Sequence, residues 1–187
     1  MEHTYESRPR KRWTWSEVRR MVETGLLSED APYELIEGEL IEMSPQGTRH
    51  SVAGELVAQR LIATAPEGTH VRAQRPLDCG DESVPEPDVA LVLGAMRDFI
   101  ARHPRADEVL LVVEVSMTTQ DVDHRKAAIY ARAGAPVYWL LDLQNRRLEV
   151  HAEPHPDGYH LVRILEDDDA VEVPGAKERW PVRELLP

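Results

Sequence analysis

EVLLVVEVSMTTQDVDHRKAAIYARA, residues 108–133, decides how the rest of the chain is read. Val109 to Val115 is apolar on both alternating faces apart from Glu114, the pattern of a short strand covered on both sides. An ionised carboxylate inside such a run is costly unless a cation or hydrogen-bond donors meet it. Asp121 to Ala133 then fits a helix, with Gly134 as its stop and Pro136 just beyond. Val122, Ile129, Tyr130 and Ala133 form its apolar stripe. Lys126, four residues from Val122 and Tyr130, falls on the same stripe. An inward acid ending the strand and an inward lysine on the next helix read as a core ion pair, as a lysine that snorkels to the rim, or as part of a site.

Composition bounds the rest. The 187 residues suggest one domain with decorations, over 13–187, behind a disordered basic tail at 1–12. Hydrophobic content of 42% and charged content of 30% are ordinary for a globular protein. Cys79 is the lone cysteine, so no disulfide framework exists within the chain and a cytoplasmic location is expected. The charged start carries no secretory pattern, and no apolar run reaches the ~20 residues of a membrane span. A net charge of −12 argues against a protein held to nucleic acid by charge alone. It leaves open an enzyme that meets phosphate through a metal ion. The acidic run Glu166–Asp169 and the cluster Arg8, Arg10, Lys11 and Arg12 read as solvated segments.

Taken in order, Thr14 and Glu17 have capping-box spacing and open a short helix that Gly25 ends. Tyr33 to Met43 reads as a hairpin turning at Glu37-Gly38, with most of its glutamates exposed and room for one to point inward. Arg49 to Ala65 reads as a long helix with His50 in its first turn, where a histidine is usually a surface or capping residue. His70–Leu77 and Val89–Leu93 read as strands, and Asp98–Arg102 as a short helical or loop connection. Val137–Leu141 pairs with Leu148–His151 in a hairpin, Tyr159–Leu165 with Ala170–Val173 in another, and Trp180–Leu186 closes the chain as a helical turn. This order predicts an α/β or α+β fold with a mixed central sheet flanked by helices.

Asp88 opens one apolar strand and Glu114 ends another, 26 residues later, which allows the two strands to be neighbours. Strand-borne carboxylates converging at a sheet edge suit Mg²⁺ or Mn²⁺. With a nearby lysine they are the parts of a metal-dependent phosphodiester hydrolase. No Gly-rich phosphate loop and no Gly-x-Ser-x-Gly elbow is present. His151, His155 and His160 fall in one late hairpin and offer at most an adventitious metal site.

A set of segments stands in one order: Tyr33–Leu40, Met43-Ser44-Pro45, His50, Pro85-Glu86-Pro87-Asp88, Val113–Ser116, Asp123 with Lys126, Tyr130–Gly134 and Val137–Asp142. Together they resemble the Uma-type family of candidate bacterial restriction endonucleases, a branch of the PD-(D/E)xK nuclease superfamily, over roughly residues 14–155. The resemblance implies a core of helix, three strands, helix and strand. It implies a catalytic set of Asp88, Glu114 and Lys126. Mg²⁺ or Mn²⁺ would be held by the two acids and the Val115 backbone carbonyl. The motif lysine is expected two residues after Glu114, where Ser116 stands. In this branch the lysine comes from the following helix, and Lys126 matches it. Glu34, His50, Gln74 and Ser116 are the accessory candidates. Arg49, Arg72, Arg75 and Arg125 are candidates for a local basic surface toward DNA, and a homodimer fits exposed hairpins and the cutting of both strands. The competing expectation is a non-catalytic interaction or regulatory module on the same fold, with the two acids and the lysine as a structural ion network.

Overall fold

The computed structural model describes residues 10–117 and 120–187. The tail expected at 1–12 falls outside the described residues as far as residue 9. Lys11 and Arg12 already pair with Glu17 and Glu82. Thr14 caps helix α1, Trp15–Glu23, through the full capping box: its hydroxyl accepts the Glu17 N–H and the Glu17 carboxylate accepts its own. Strands β1, Tyr33–Ile36, and β2, Glu39–Glu42, form the hairpin read at Glu37-Gly38. Both turn residues have positive φ, 48° and 77°, the geometry of the tight turn that matches strand twist. A side chain at Gly38 would also stand 2.8 Å from the Arg12 Cβ.

Helix α2 spans Thr48–Thr64, β3 Thr69–Ala73, β4 Val89–Leu93, β5 Val109–Ser116, α3 Gln120–Arg132 and β6 Val137–Asp142. Strands β7, Arg147–His155, and β8, Gly158–Glu166, follow. These strands make one six-stranded sheet in the order β3-β4-β5-β6-β7-β8. All neighbours are antiparallel except β5 and β6, which are parallel and joined by α3. A parallel pair needs such a crossover. The architecture is mixed α+β, and the helix–three strands–helix–strand core runs from α2 to β6.

Alternation along β5 explains its apolar run. Leu111, Val113 and Val115 face α2, packing with Ala53, Val57, Leu61 and Trp139 and with Trp180 and Leu185 from the C-terminal segment. Val109 and Val112 face α3 and meet Ala127, Tyr130, Tyr138 and Leu140. Parity puts Glu114 on the α3 face as well.

Three expectations need correction. The strand read as His70–Leu77 ends at Ala73, because Gln74 adopts φ 51° and turns the chain out of the sheet. Tyr159–Leu165 does not pair with Ala170–Val173. Strand β8 pairs with a longer β7 across the two-residue Pro156-Asp157 turn, with His155 opposite Gly158. Strand β9, Ala170–Glu172, pairs instead with β10, Arg179–Pro181. The sequence expectation ended β7 at His151, short of the Pro156-Asp157 turn that joins the two strands. Finally, the segment Trp180–Leu186 is half strand and half turn: β10 precedes a single 3₁₀ turn, Val182–Glu184.

Leu111 is fully buried on the central strand and Ile100 is 93% exposed. Leu111→Ala is expected to cost about 2–5 kcal/mol, and Ile100→Ala no more than about 0.5 kcal/mol. Urea unfolding followed by tryptophan fluorescence measures both.

Candidate active site

The register carries Asp88 to the site. Val89 pairs with Val113 and Ala90 with Val112, so Asp88, one residue before β4, comes alongside Glu114. The Val115 N–H donates to Asp88 Oδ2 at 2.8 Å, which fixes the aspartate against the end of β5. The first turn of α2 supplies His50, with Nε2 3.3 Å from the same oxygen. Gln46, in the loop before α2, donates to Asp88 Oδ1 at 3.0 Å. Gln74 Nε2 donates in turn to Gln46 Oε1 at 2.6 Å. Asp88, Gln46, His50 and Gln74 line a cleft of about 210 Å³ between α2 and β3.

On the other side of the sheet, α3 brings Lys126 to 3.2 Å from Glu114 Oε1. Lys126 lies 2.8 Å and 3.1 Å from the two Glu34 oxygens. Tyr130, one helical turn on, donates to Glu114 Oε1 at 2.7 Å. Both named partners of Glu114 meet it at Oε1. Glu34, Asp88, Glu114 and Lys126 are all buried. The lysine that the helical stripe turned inward is therefore inside, where an ammonium needs anions around it.

The charges are unequal. Burial pushes the Glu114 carboxyl up to about 8, reinforced by Asp88 and Glu34, although Lys126 and the Tyr130 hydroxyl pull it down. Burial works against the Lys126 ammonium, but Glu114 and Glu34 outweigh it and hold the amine charged well above its usual range. Burial likewise opposes charge on His50. The hydrogen bond and charge of Asp88, the Val115 backbone and the charge of Asp123 overcome it and raise its pKa. Two acids, Glu34 and Glu114, meet the one ammonium, and Glu114 is the one whose carboxyl burial pushes up.

These donors fit a hard divalent cation. The acids offer oxygen only, and they outnumber the ammonium. Asp88 keeps lone-pair capacity on Oδ1, which has one named donor.

A family model described as "Uma2: Putative restriction endonuclease" matches residues 15–183. The chain belongs to the Uma2 family. A crystal structure from Anabaena variabilis, described as a "putative nuclease belonging to DUF820", superposes with a TM-score of 0.71. The two share 20% identity over 88% of this chain and 96% of that one, a likeness of fold. No curated protein matches.

Within this Uma2 chain the expected residues divide in three groups. Asp88, Glu114, Lys126, Glu34, His50 and Gln74 come together through the contacts above. Ser116 is buried in the sheet opposite Asp142, and its hydroxyl has no hydrogen-bond partner among the described residues. The late-hairpin histidines separate: His151 is buried beside Glu149, while His155 and His160 stack at the exposed tip and bracket Asp157. Gln46 and Tyr130 were missed. Tyr130 stands four residues after Lys126 on the stripe and could have been read as a donor, whereas nothing local marks Gln46. A larger hollow of about 400 Å³ lies beside Arg12, Glu37, Cys79 and Arg132. Its arginines are already ion-paired, and burial keeps the Cys79 thiol protonated, so it offers no comparable chemistry.

Lys126→Met leaves Glu34 and Glu114 buried without their cation and is expected to cost about 3–5 kcal/mol at neutral pH. The pH dependence has a definite sign. Glu114 holds its proton to about 8 in the fold, against an ordinary 4.5. Its stabilising contribution is thus complete below about 4.5 and is lost as pH rises through 8. In EDTA, urea unfolding of the wild type should weaken between these values relative to Glu114→Gln. Parallel curves would exclude the raised proton affinity.

Proposed function

We propose that the protein is a metal-dependent nuclease that hydrolyses phosphodiester bonds of DNA. Membership of the Uma2 family and the nuclease-like fold support nuclease-type chemistry on nucleic acid. The observation that carries the reading is the meeting of Asp88 and Glu114 at the ends of adjacent strands, with Lys126 on Glu114.

Asp88, Glu114 and the Val115 carbonyl would hold Mg²⁺ or Mn²⁺. When bound, such an ion polarises phosphoryl oxygen and makes a coordinated water more acidic. The chain's own groups do the rest. Gln46, His50 and the Val115 amide fix the Asp88 carboxylate, so little reorganisation is needed. Gln74 buttresses Gln46. Tyr130 and Lys126 orient Glu114 through one oxygen. Lys126, held positive, positions the attacking water or offsets charge that develops on the phosphate. Glu34 keeps the ammonium in place.

A non-catalytic module is the second reading. One observation favours it: Lys126 is 2% exposed and already satisfied between two acids.

Calorimetric Mn²⁺ titration and cleavage of plasmid and oligonucleotide DNA separate the two. The expected result is one Mn²⁺ site, lost in Asp88→Asn. Cleavage in that variant and in Lys126→Ala is expected to fall by about 10²-fold or more. Absence of a Mn²⁺ site would leave the module reading.

A further inference from the structure

We infer that His155, Asp157 and His160 form a second metal site, one for Zn²⁺ or a similar transition-metal ion, at the tip of the β7–β8 hairpin. The inference is independent of the nuclease reading and of the acids around Lys126.

The first observation is convergence. The pattern His-x-Asp-x-x-His, residues 155–160, spans the turn. Asp157 Oδ1 stands 3.3 Å from His155 Nδ1 and 2.9 Å from His160 Nε2. One ligand atom from each of the three residues lies within 4.8 Å of the other two. The two imidazole rings stack with centroids 4.3 Å apart and planes inclined by 21°. Donors held about 2.0–2.2 Å from a tetrahedral Zn²⁺ stand roughly 3.3–3.6 Å from one another. The spacings at Asp157 are close to that.

The second observation is how the backbone sets these donors. Pro156, with its fixed φ, opens the two-residue turn, and Gly158 closes it at φ 135°. His155 lies opposite Gly158, so His160, two residues further along β8, is its diagonal neighbour on the same face. The ladder skips Glu153 and His160, and Glu153 sits at φ 59°. That kink interrupts the alternation of β7 between His151 and His155. It explains why His151, grouped with the other two from sequence, packs instead with Tyr138 and Tyr159. Asp157 takes its place in the set. The Tyr159 hydroxyl donates to the Ala135 carbonyl at 2.8 Å and ties the base of the tip to the body of the protein.

The third observation is the chemistry of the donors. Asp157 meets only histidines; no lysine or arginine is within ion-pair distance of it among the described residues. Two neutral imidazoles and one carboxylate leave a negative charge for a dication to offset. Imidazole nitrogens favour Zn²⁺, Ni²⁺ or Cu²⁺, whereas the oxygen-only set at Asp88 and Glu114 suits Mg²⁺ or Mn²⁺. The three side chains are 59%, 76% and 48% exposed, so further coordination positions face water. His124 and His151 also approach one acid, Glu149, but Arg147 already pairs with that carboxylate.

The test is calorimetric titration of ZnCl₂ into the full chain in excess Mg²⁺. One Zn²⁺ site is expected, present in Asp88→Asn as in the wild type. Loss of a ligand in His155→Gln or His160→Gln should weaken it by at least the about 10–100-fold that removal of an outer-shell partner costs. Zn²⁺ should raise the melting temperature of the wild type and not of these variants, because the ion staples β7 to β8 only in the folded chain. In EDTA the exposed variants should melt with the wild type. Selective broadening of the His155 and His160 ring resonances by Cu²⁺ locates the ion without any substitution. Mn²⁺, the weakest of the series at such donors, should not register at the tip. Absence of a Zn²⁺ site in the wild type, or wild-type affinity in both histidine variants, would overturn the inference. So would loss of Zn²⁺ binding in Asp88→Asn, which would place the ion at the other centre.

Discussion

An ammonium group with no water around it must be given anions, and the structure is arranged about that requirement at Lys126. Glu114 from β5 and Glu34 from β1 meet it within about hydrogen-bond distance, so the central strand, the first hairpin and α3 are tied at one point. The β1–β2 hairpin is otherwise a separate two-stranded sheet. Its backbone link to the loop at Val84 and its exposed ion pairs from Glu37 to Arg125 and Arg132 add to that tie. Exposed pairs of this kind contribute only about 0–1 kcal/mol each. The buried lysine is the contact that cannot be given up, because losing it strands two carboxylates in the interior.

The second constraint is the register of β4 on β5. It brings Asp88 beside Glu114, and the Val115 amide then holds the aspartate in place. Two helices on opposite faces of the sheet contribute to this one end: α2 through His50 and α3 through Lys126 and Tyr130. Asp88 consequently lines a polar cleft on the α2 side, while Glu114 meets Lys126 and Tyr130 on the α3 side.

The distribution of charge follows the same economy. Glutamates and aspartates dominate the chain, and arginines neutralise only part of them at the surface, among them Glu37, Glu108 and Asp167. Net charge is therefore a poor guide to the cleft. A local field depends on which charges are neutralised nearby, and exposed charges beyond about 10 Å are largely screened at 0.1 M salt.

Much of this was legible in the sequence because it is local. Doubly apolar β5, the α3 stripe with Lys126 on it, the capping box at Thr14 and the Glu37-Gly38 turn each follow from spacing and backbone preference, and each is where the sequence placed it. Glu114 and Lys126 were recognisable as misfits, polar groups in apolar patterns, and Asp88 as the acid that opens an apolar strand. What the sequence could not supply was partnership between distant segments. That Gln46 donates to Asp88, that Tyr130 shares Glu114 with Lys126, and that Arg125 is consumed by Glu37 and Glu39 depend on how the hairpin and the α2 loop lie across the sheet. The pairing of β8 with β7 instead of β9 depended on a turn whose strands extend beyond their apolar cores. Periodicity determines which way a side chain faces within its own element. Only tertiary packing decides what it meets there, because those contacts join residues dozens of positions apart, whose approach no local preference encodes.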